Sequence, residues 1–276
     1  MSEDFDYDLD YEESDFKYEF PEISSDLLFD MEFPTKLPTK LRLHVNVYID
    51  PYFGKTHETK EFAEEAARQT MAQAAKILQD KTLSPQIELV YNKTIYWNLS
   101  KAHVEPKNIN DDKLLSELRG PYRVGKDYHV AHVYLTASNG SNGRPKLIGK
   151  AKKDSICTKN ETAPRLIVHW LNSAARTGLT VAHELGHVLG MSHDFRPVHD
   201  TSTGETILVR DTCVGYLEKD TGEFIMNYGN QRKIWSTCSN EDFARYYKAV
   251  VKHNTQFCLE DISPGNNTMG WWLGRL

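Results

Sequence analysis

The 276-residue chain is long enough for one large domain with a substantial core, and at 39% hydrophobic and 26% charged it has an ordinary globular composition. No apolar run approaches the roughly 18 residues that a membrane-crossing helix needs, which excludes a helical membrane span. The net charge of −6 hides two opposed regions: residues 1–33 hold thirteen of the 39 acids and one base, Lys17, a net of −12, leaving 26 acids and 32 bases, a net of +6, for the rest.

In residues 1–33 the acids alternate with Phe5, Tyr7, Tyr11, Phe16, Tyr18 and Phe20. That density of like charge predicts a flexible segment that does not fold alone. Its opposition to a basic body also suits an autoinhibitory propeptide remnant or a site for an inhibitor or partner. The basic body contains no Lys/Arg run of the kind that marks a nucleic-acid site.

After Pro34 and Pro38, residues Leu41–Asp50 alternate apolar and polar, which predicts a strand. Ala63, Ala67, Met71, Ala74 and Leu78 recur at three- and four-residue steps and predict an amphipathic helix over 59–79. Further strands are expected at Ile87–Tyr91, Ile95–Trp97, Val130–Thr136 and Leu166–Leu171, with a turn at 139–143. A second helix is expected over Thr177–Gly190 and a third from Ser239, carrying Phe243, Tyr246, Tyr247 and Val250. Strand–helix–strand order early, helices late and no internal repeat predict a mixed α/β sheet domain.

Cys157, Cys213, Cys238 and Cys258 form no CxxC pair and allow three pairings. Sequons begin at Asn92, Asn98, Asn139, Asn160 and Asn266, as would suit a secreted glycoprotein. Met1 is followed by acids rather than a signal segment, so either a signal has been removed or the chain is cytosolic with reduced thiols; the first, a secreted chain, is expected.

The chemistry lies in residues 183–194, which read HELGHVLGMSHD. Four residues apart on a helix, His183 and His187 share a face and can reach one ion. A continuing helix would carry His193 about 15 Å from His183, whereas a zinc–nitrogen bond is about 2.0–2.1 Å. The helix must therefore stop and reverse, and Gly190 is suited to that turn. Three imidazoles leave one tetrahedral position for water, the arrangement of a catalytic zinc. Glu184, beside the first ligand, can take the proton of the attacking water and return it to the leaving amine. The full HExxHxxGxxH pattern should arise by chance in on the order of one in tens of thousands of chains of this length. The other eight histidines, among them His44, His57, His132 and His169, are read as ordinary core or surface residues.

These residues resemble the metzincin metallopeptidases, and Asp194 after the third histidine points to the adamalysin (reprolysin, ADAM-like) branch. Ile225-Met226-Asn227 is similar to that family's Met-turn, residues 149–157 to its edge-strand region, and Trp235–Ser239 to the segment entering its last helix. The resemblance implies a mostly parallel twisted sheet with an active-site helix and a small C-terminal subdomain. The catalytic domain would span 34–258, its upper part ending near 190 and its lower part covering 191–258, before a tail of 259–276. It further implies one catalytic Zn2+, Met226 as an apolar floor beneath it, and disulfides Cys157–Cys258 and Cys213–Cys238. An extended protein or peptide substrate would lie along Leu147–Lys152, with residues 227–235 walling the main specificity pocket. Phe224 stands where many relatives have a further cysteine, and His44 where calcium-binding relatives have an acid, so no calcium is expected. The expected species is a monomeric secreted endopeptidase. The alternative is a non-catalytic protein-binding module on the same scaffold, which a peptide-cleavage assay with and without chelator distinguishes.

Overall fold

In the computed structural model the described residues are 36–97, 115, 130–137, 148–158, 164–194, 196–199, 206–209, 224–227, 234–254 and 257–265. All belong to the larger of two units into which the chain divides, residues 36–276. The acidic segment 1–33, Cys213, and the sequons other than that at Asn92 lie outside the described residues.

Strand β1 (Lys40–Ile49) alternates buried and half-buried residues at its start and is buried on both faces from Val45 onward. That is the pattern of a strand that runs from the sheet's margin into its centre. It pairs in parallel with β2 (Gln86–Tyr96) on one side and β3 (Val130–Thr136) on the other. β3 pairs in parallel with β5 (Arg165–His169), and β4 (Gly149–Ala151) adds antiparallel to β5, giving the order β2-β1-β3-β5-β4. Because β3 begins opposite His44, the edge of β1 below it is open, and β8 (Glu260–Asp261) pairs there with Leu41 and Arg42. Arg42 ties the three strands together, reaching Glu88 and Glu260 at 2.8 Å each. Residues just past 258, read from the sequence as tail, thus contribute to the sheet.

The two strands expected at 87–91 and 95–97 are one. The register slips between Val45 and Asn46, so Asn92 is an extra residue opposite β1 and its side chain bonds the His44 ring at 3.0 Å. A bulge of this kind interrupts the alternation without ending the strand. Helix α1 (Pro51–Lys55) was not expected. It is started by the Asp50 carboxylate, which accepts from the Phe53 N–H at 2.7 Å, with Pro51 at the first helical position.

Helix α2 (Lys60–Leu78) buries Ala63, Ala67, Met71, Ala74 and Leu78, and Thr59 caps it by accepting from the Phe62 N–H. Its small buried residues let α3 (Ala174–Val188) approach closely, with Gly178 against Thr70 and Gln73. Helix α4 (Thr237–Asn254) buries Phe243 and Val250. A short antiparallel pair, β6 (Arg196–His199) and β7 (Thr206–Val209), follows the motif region and was not expected from the sequence. No helix among the described residues is long and apolar enough to cross a membrane.

Candidate metal centre

Helix α3 ends at Val188, and the chain reverses at once. Gly190 has φ +96° and its N–H bonds the His187 carbonyl at 3.0 Å, while the Met191 N–H bonds that of Gly186 at 2.9 Å. This is a left-handed glycine terminating a helix. A Cβ here would also fall 2.5 Å from that of Tyr246 on α4, so both the torsion and the packing demand glycine.

The reversal brings His193 back to the two helical histidines. Its Nε2 lies 3.1 Å from the Nε2 of His183 and 3.1 Å from that of His187. The opposite ring nitrogens face backbone carbonyls: His183 Nδ1 meets Ile225 O at 2.7 Å and His187 Nδ1 meets Met191 O at 2.9 Å. A carbonyl only accepts, so both Nδ1 atoms carry the proton and both Nε2 atoms present lone pairs to the common centre. Converging lone pairs repel one another unless a cation lies between them. Two ligands about 2.05 Å from a tetrahedral zinc are roughly 3.3 Å apart, close to the two spacings from His193, and the three donor atoms lie within 4.8 Å of one another, so the donor set fits this metal. Burial drives the His187 pKa down to about 4, with the Met191 carbonyl opposing and Lys153 assisting. This holds the ring in the neutral form that ligates metal.

Glu184 is buried on the same helix turn. Its carboxyl lies against β4: a Cβ on Gly149 would fall 2.7 Å from Glu184 Oε1 and 2.8 Å from Thr180 Cγ2. The carboxyl therefore sits between α3 and β4.

Met226 is buried in the turn Phe224–Asn227, with its sulfur against Gly186 of α3. The Ile225 N–H bonds Ile234 O at 2.8 Å, and the Asp194 N–H bonds Met226 O at 2.8 Å. Asp194 is itself buried and accepts from the Ser236 hydroxyl, and Ser236 accepts from the Ser239 N–H at the start of α4. The residue after the third histidine thus ties the Met226 turn to α4. Trp235 braces the same floor, donating through Nε1 to Ile77 O at 3.0 Å and through its backbone to Thr82 Oγ1 at 2.9 Å. The sequence pattern singles out His183, Glu184, His187, His193 and Met226. Gly149, Ile225 and Trp235 as their supports emerge only from the fold, because each acts across more than 30 residues.

Cys157 is bonded to Cys258, fastening the loop after β4 to the segment between α4 and β8. Cys238 is disulfide-bonded as well; its expected partner, Cys213, lies outside the described residues. Of the residues expected to wall the specificity pocket, 228–233 also lie outside them.

A parallel sheet with an antiparallel last strand, a helix carrying two histidines and a glycine turn returning a third define a metallopeptidase catalytic domain of the metzincin type. The chain belongs to metallo-peptidase family M12, whose profile matches residues 39–243. Membership of that family implies zinc. No curated protein matches the chain. Among solved structures, metalloproteinase-II from Bacteroides fragilis aligns at 16% identity and TM-score 0.45, over 78% of this chain and 56% of that one. A chaperone–substrate complex aligns at 10% identity and TM-score 0.42, over 75% of this chain and 35% of that one.

Proposed function

We propose that this chain is a secreted zinc-dependent endopeptidase that cleaves extended protein segments, with His183, His187 and His193 as metal ligands and Glu184 as general base and acid. The observation that carries this reading is the set of three converging imidazole nitrogens beside a buried glutamate that they do not need as a ligand. When bound, zinc lowers the pKa of a water and polarises a carbonyl. Glu184 takes the proton of the attacking water on its carboxylate and delivers it to the leaving amine nitrogen, so both new termini form without a free hydroxide or an amide anion. Met226 keeps the underside of the ligand set dry, and the Ile225 and Met191 carbonyls fix the imidazole tautomers.

The register of β4 supports an extended substrate. Ile148 accepts from the His169 N–H at 3.0 Å, and the Lys152 N–H donates to Arg165 O at 3.1 Å. In an antiparallel ladder the intervening residues, Gly149 and Ala151, then turn their N–H and C=O groups away from β5. No other strand among the described residues pairs with that side. A peptide added there would pass the Glu184 carboxyl, held against Gly149. The Cys157–Cys258 bond and the bonded Cys238 favour an oxidising compartment.

The test is a quenched-peptide assay on wild type and Glu184→Gln, with metal content measured on both. The expected result is one zinc per chain in each, with kcat/KM about 100- to 10,000-fold lower in the variant. Equal cleavage by the two would remove Glu184 from the mechanism. Absence of stoichiometric metal from the wild type would remove the enzyme reading.

A further inference from the structure

The side chains of β4 that face α3 begin small. Gly149 lies over Glu184, and Ala151, two residues on, faces the same way by strand alternation. The first long side chain to reach that side is Lys153. It follows the point where the chain leaves the sheet and drops onto the end of α3, where the Asp154 N–H bonds His187 O at 3.0 Å and the Ser155 N–H bonds Val188 O at 3.2 Å.

The Lys153 ammonium is turned toward the segment that carries the third histidine. Its Nζ donates to Ser192 Oγ at 2.6 Å, one residue before His193. Ser192 is held in turn, since its N–H donates to the buried Asp242 carboxylate at 3.0 Å. The charge of Asp242 is engaged by Arg245 at 3.1 Å, and the acid nearest to Lys153 in the chain is the adjacent Asp154. A positive charge is thus fixed at the His187 end of the cleft, four residues beyond Gly149. At about 3.3 Å per residue the edge from Gly149 to Lys152 covers roughly 10 Å before the chain turns to place Lys153 beside Ser192.

We propose that Lys153 is a specificity determinant that selects substrates bearing Asp or Glu two to four residues from the cleaved bond, on the side of the cleft that lies over His187 and Ser192. This inference rests on the proposed peptidase reading for the chemistry, but on the geometry of Lys153 and Ser192 for the preference. The carboxylate of such a residue replaces Ser192 Oγ as the acceptor of the ammonium. The hydroxyl then serves as a second donor to it. An exposed charged contact acts modestly and is screened by salt.

The experiment scans Asp, Ala and Lys through each position of a quenched-peptide library with zinc-loaded wild type and Lys153→Glu. Each enzyme is read by its own ratio of kcat/KM between acidic and basic peptides. Wild type is expected to favour the acid about three- to five-fold at one position, two to four residues from the bond. Lys153→Glu should invert that ratio at the same position alone, and both ratios should move toward one in about 0.5 M salt. A ratio that Lys153→Glu leaves unchanged overturns the proposal. The same peptides are titrated by fluorescence anisotropy onto zinc-loaded Glu184→Gln with and without Lys153→Glu. If wild type cleaves nothing while these affinities still invert, the peptidase reading falls and the selectivity of Lys153 stands. Acidic and basic peptides bound equally by both would overturn the selectivity as well.

Discussion

The sulfur of Met226 occupies the space that a side chain on Gly186 would fill: a Cβ built on that glycine falls 2.5 Å from Met226 Sδ and 3.3 Å from Trp235 Cζ3. Gly186 lies in the turn of α3 between the two helical histidines, so Met226, the proposed floor of the metal centre, touches the backbone that carries the proposed ligands. Ile225, next to Met226, meets the His183 ring through its carbonyl at 2.7 Å. Moving Met226 therefore moves a group that orients the His183 ring, a proposed ligand.

Two effects oppose each other in Gly186→Ala. Alanine is favoured over glycine in a helix interior by about 1 kcal/mol, whereas overpacking a filled core costs about 1–3 kcal/mol. Met226 is flexible, but it is enclosed by Trp235, so the clash should win. The expected outcome is a folded protein about 1 kcal/mol less stable to urea, with zinc affinity reduced several-fold in a chelator competition. Unchanged affinity would mean that the floor yields without disturbing His183.

Trp235 offers a contrasting pair of changes. Trp235→Phe keeps most of the ring contact and the backbone bond to Thr82 but removes the indole donor at 3.0 Å from Ile77 O, which still accepts from the Asp80 N–H at 3.1 Å. Removing one such bond from a carbonyl that keeps another donor should cost about 0.5–1.5 kcal/mol with little effect on metal affinity. Trp235→Ala opens a cavity beneath Gly186 and Met226 and should cost about 3–5 kcal/mol, with weaker zinc binding as well. Urea unfolding with a parallel zinc titration separates the two. Equal metal affinity in all three proteins would show that the tryptophan braces the fold alone.

How much of this is legible in the sequence follows from the range of each signal. The motif spacing places His183 and His187 on one face, and the reach argument requires a turn before His193; Gly190 makes it with φ +96°. The apolar steps from Ala63 to Leu78 locate α2 to within a residue at each end. The β2 bulge is lost because Asn92 breaks the alternation by which the strand is read. Strand β8 is lost because two residues carry no period at all. The floor is illegible for another reason. Gly186 occupies a variable position of the motif, and what requires it is a methionine 40 residues later.

The Cys157–Cys258 bond closes 101 residues of chain. Loop-closure entropy for such a length suggests about 4–5 kcal/mol, and measured values more often reach about 2–4 kcal/mol. A Cys157→Ser, Cys258→Ser double variant should therefore show a substantially lower urea midpoint. Because the turn after α3 is also held by the Asp194 N–H on Met226 O and by the Ser192 N–H on Asp242, metal should still bind at low temperature. Loss of metal from a variant that remains folded would instead assign the disulfide a role in holding the site.

Acid should destabilise the metal-free protein in a defined window. The His187 pKa is lowered to about 4 by burial, against an ordinary value of 6.5. As the pH falls, the unfolded chain takes up this proton first, so folding is opposed by proton uptake that the native state resists. The stabilisation that accompanies the neutral ring is fully present above about pH 6.5 and is lost progressively down to about pH 4. Thermal melts of chelator-treated protein should thus give a lower Tm at pH 5 than at pH 7.5, with a shallower slope in His187→Gln. Zinc-loaded protein should lose its metal over the acid side of neutrality, because protons compete for the same Nε2 lone pairs. A melting temperature that is flat between pH 7.5 and 5 in the metal-free protein would show that His187 is not buried as a neutral ring.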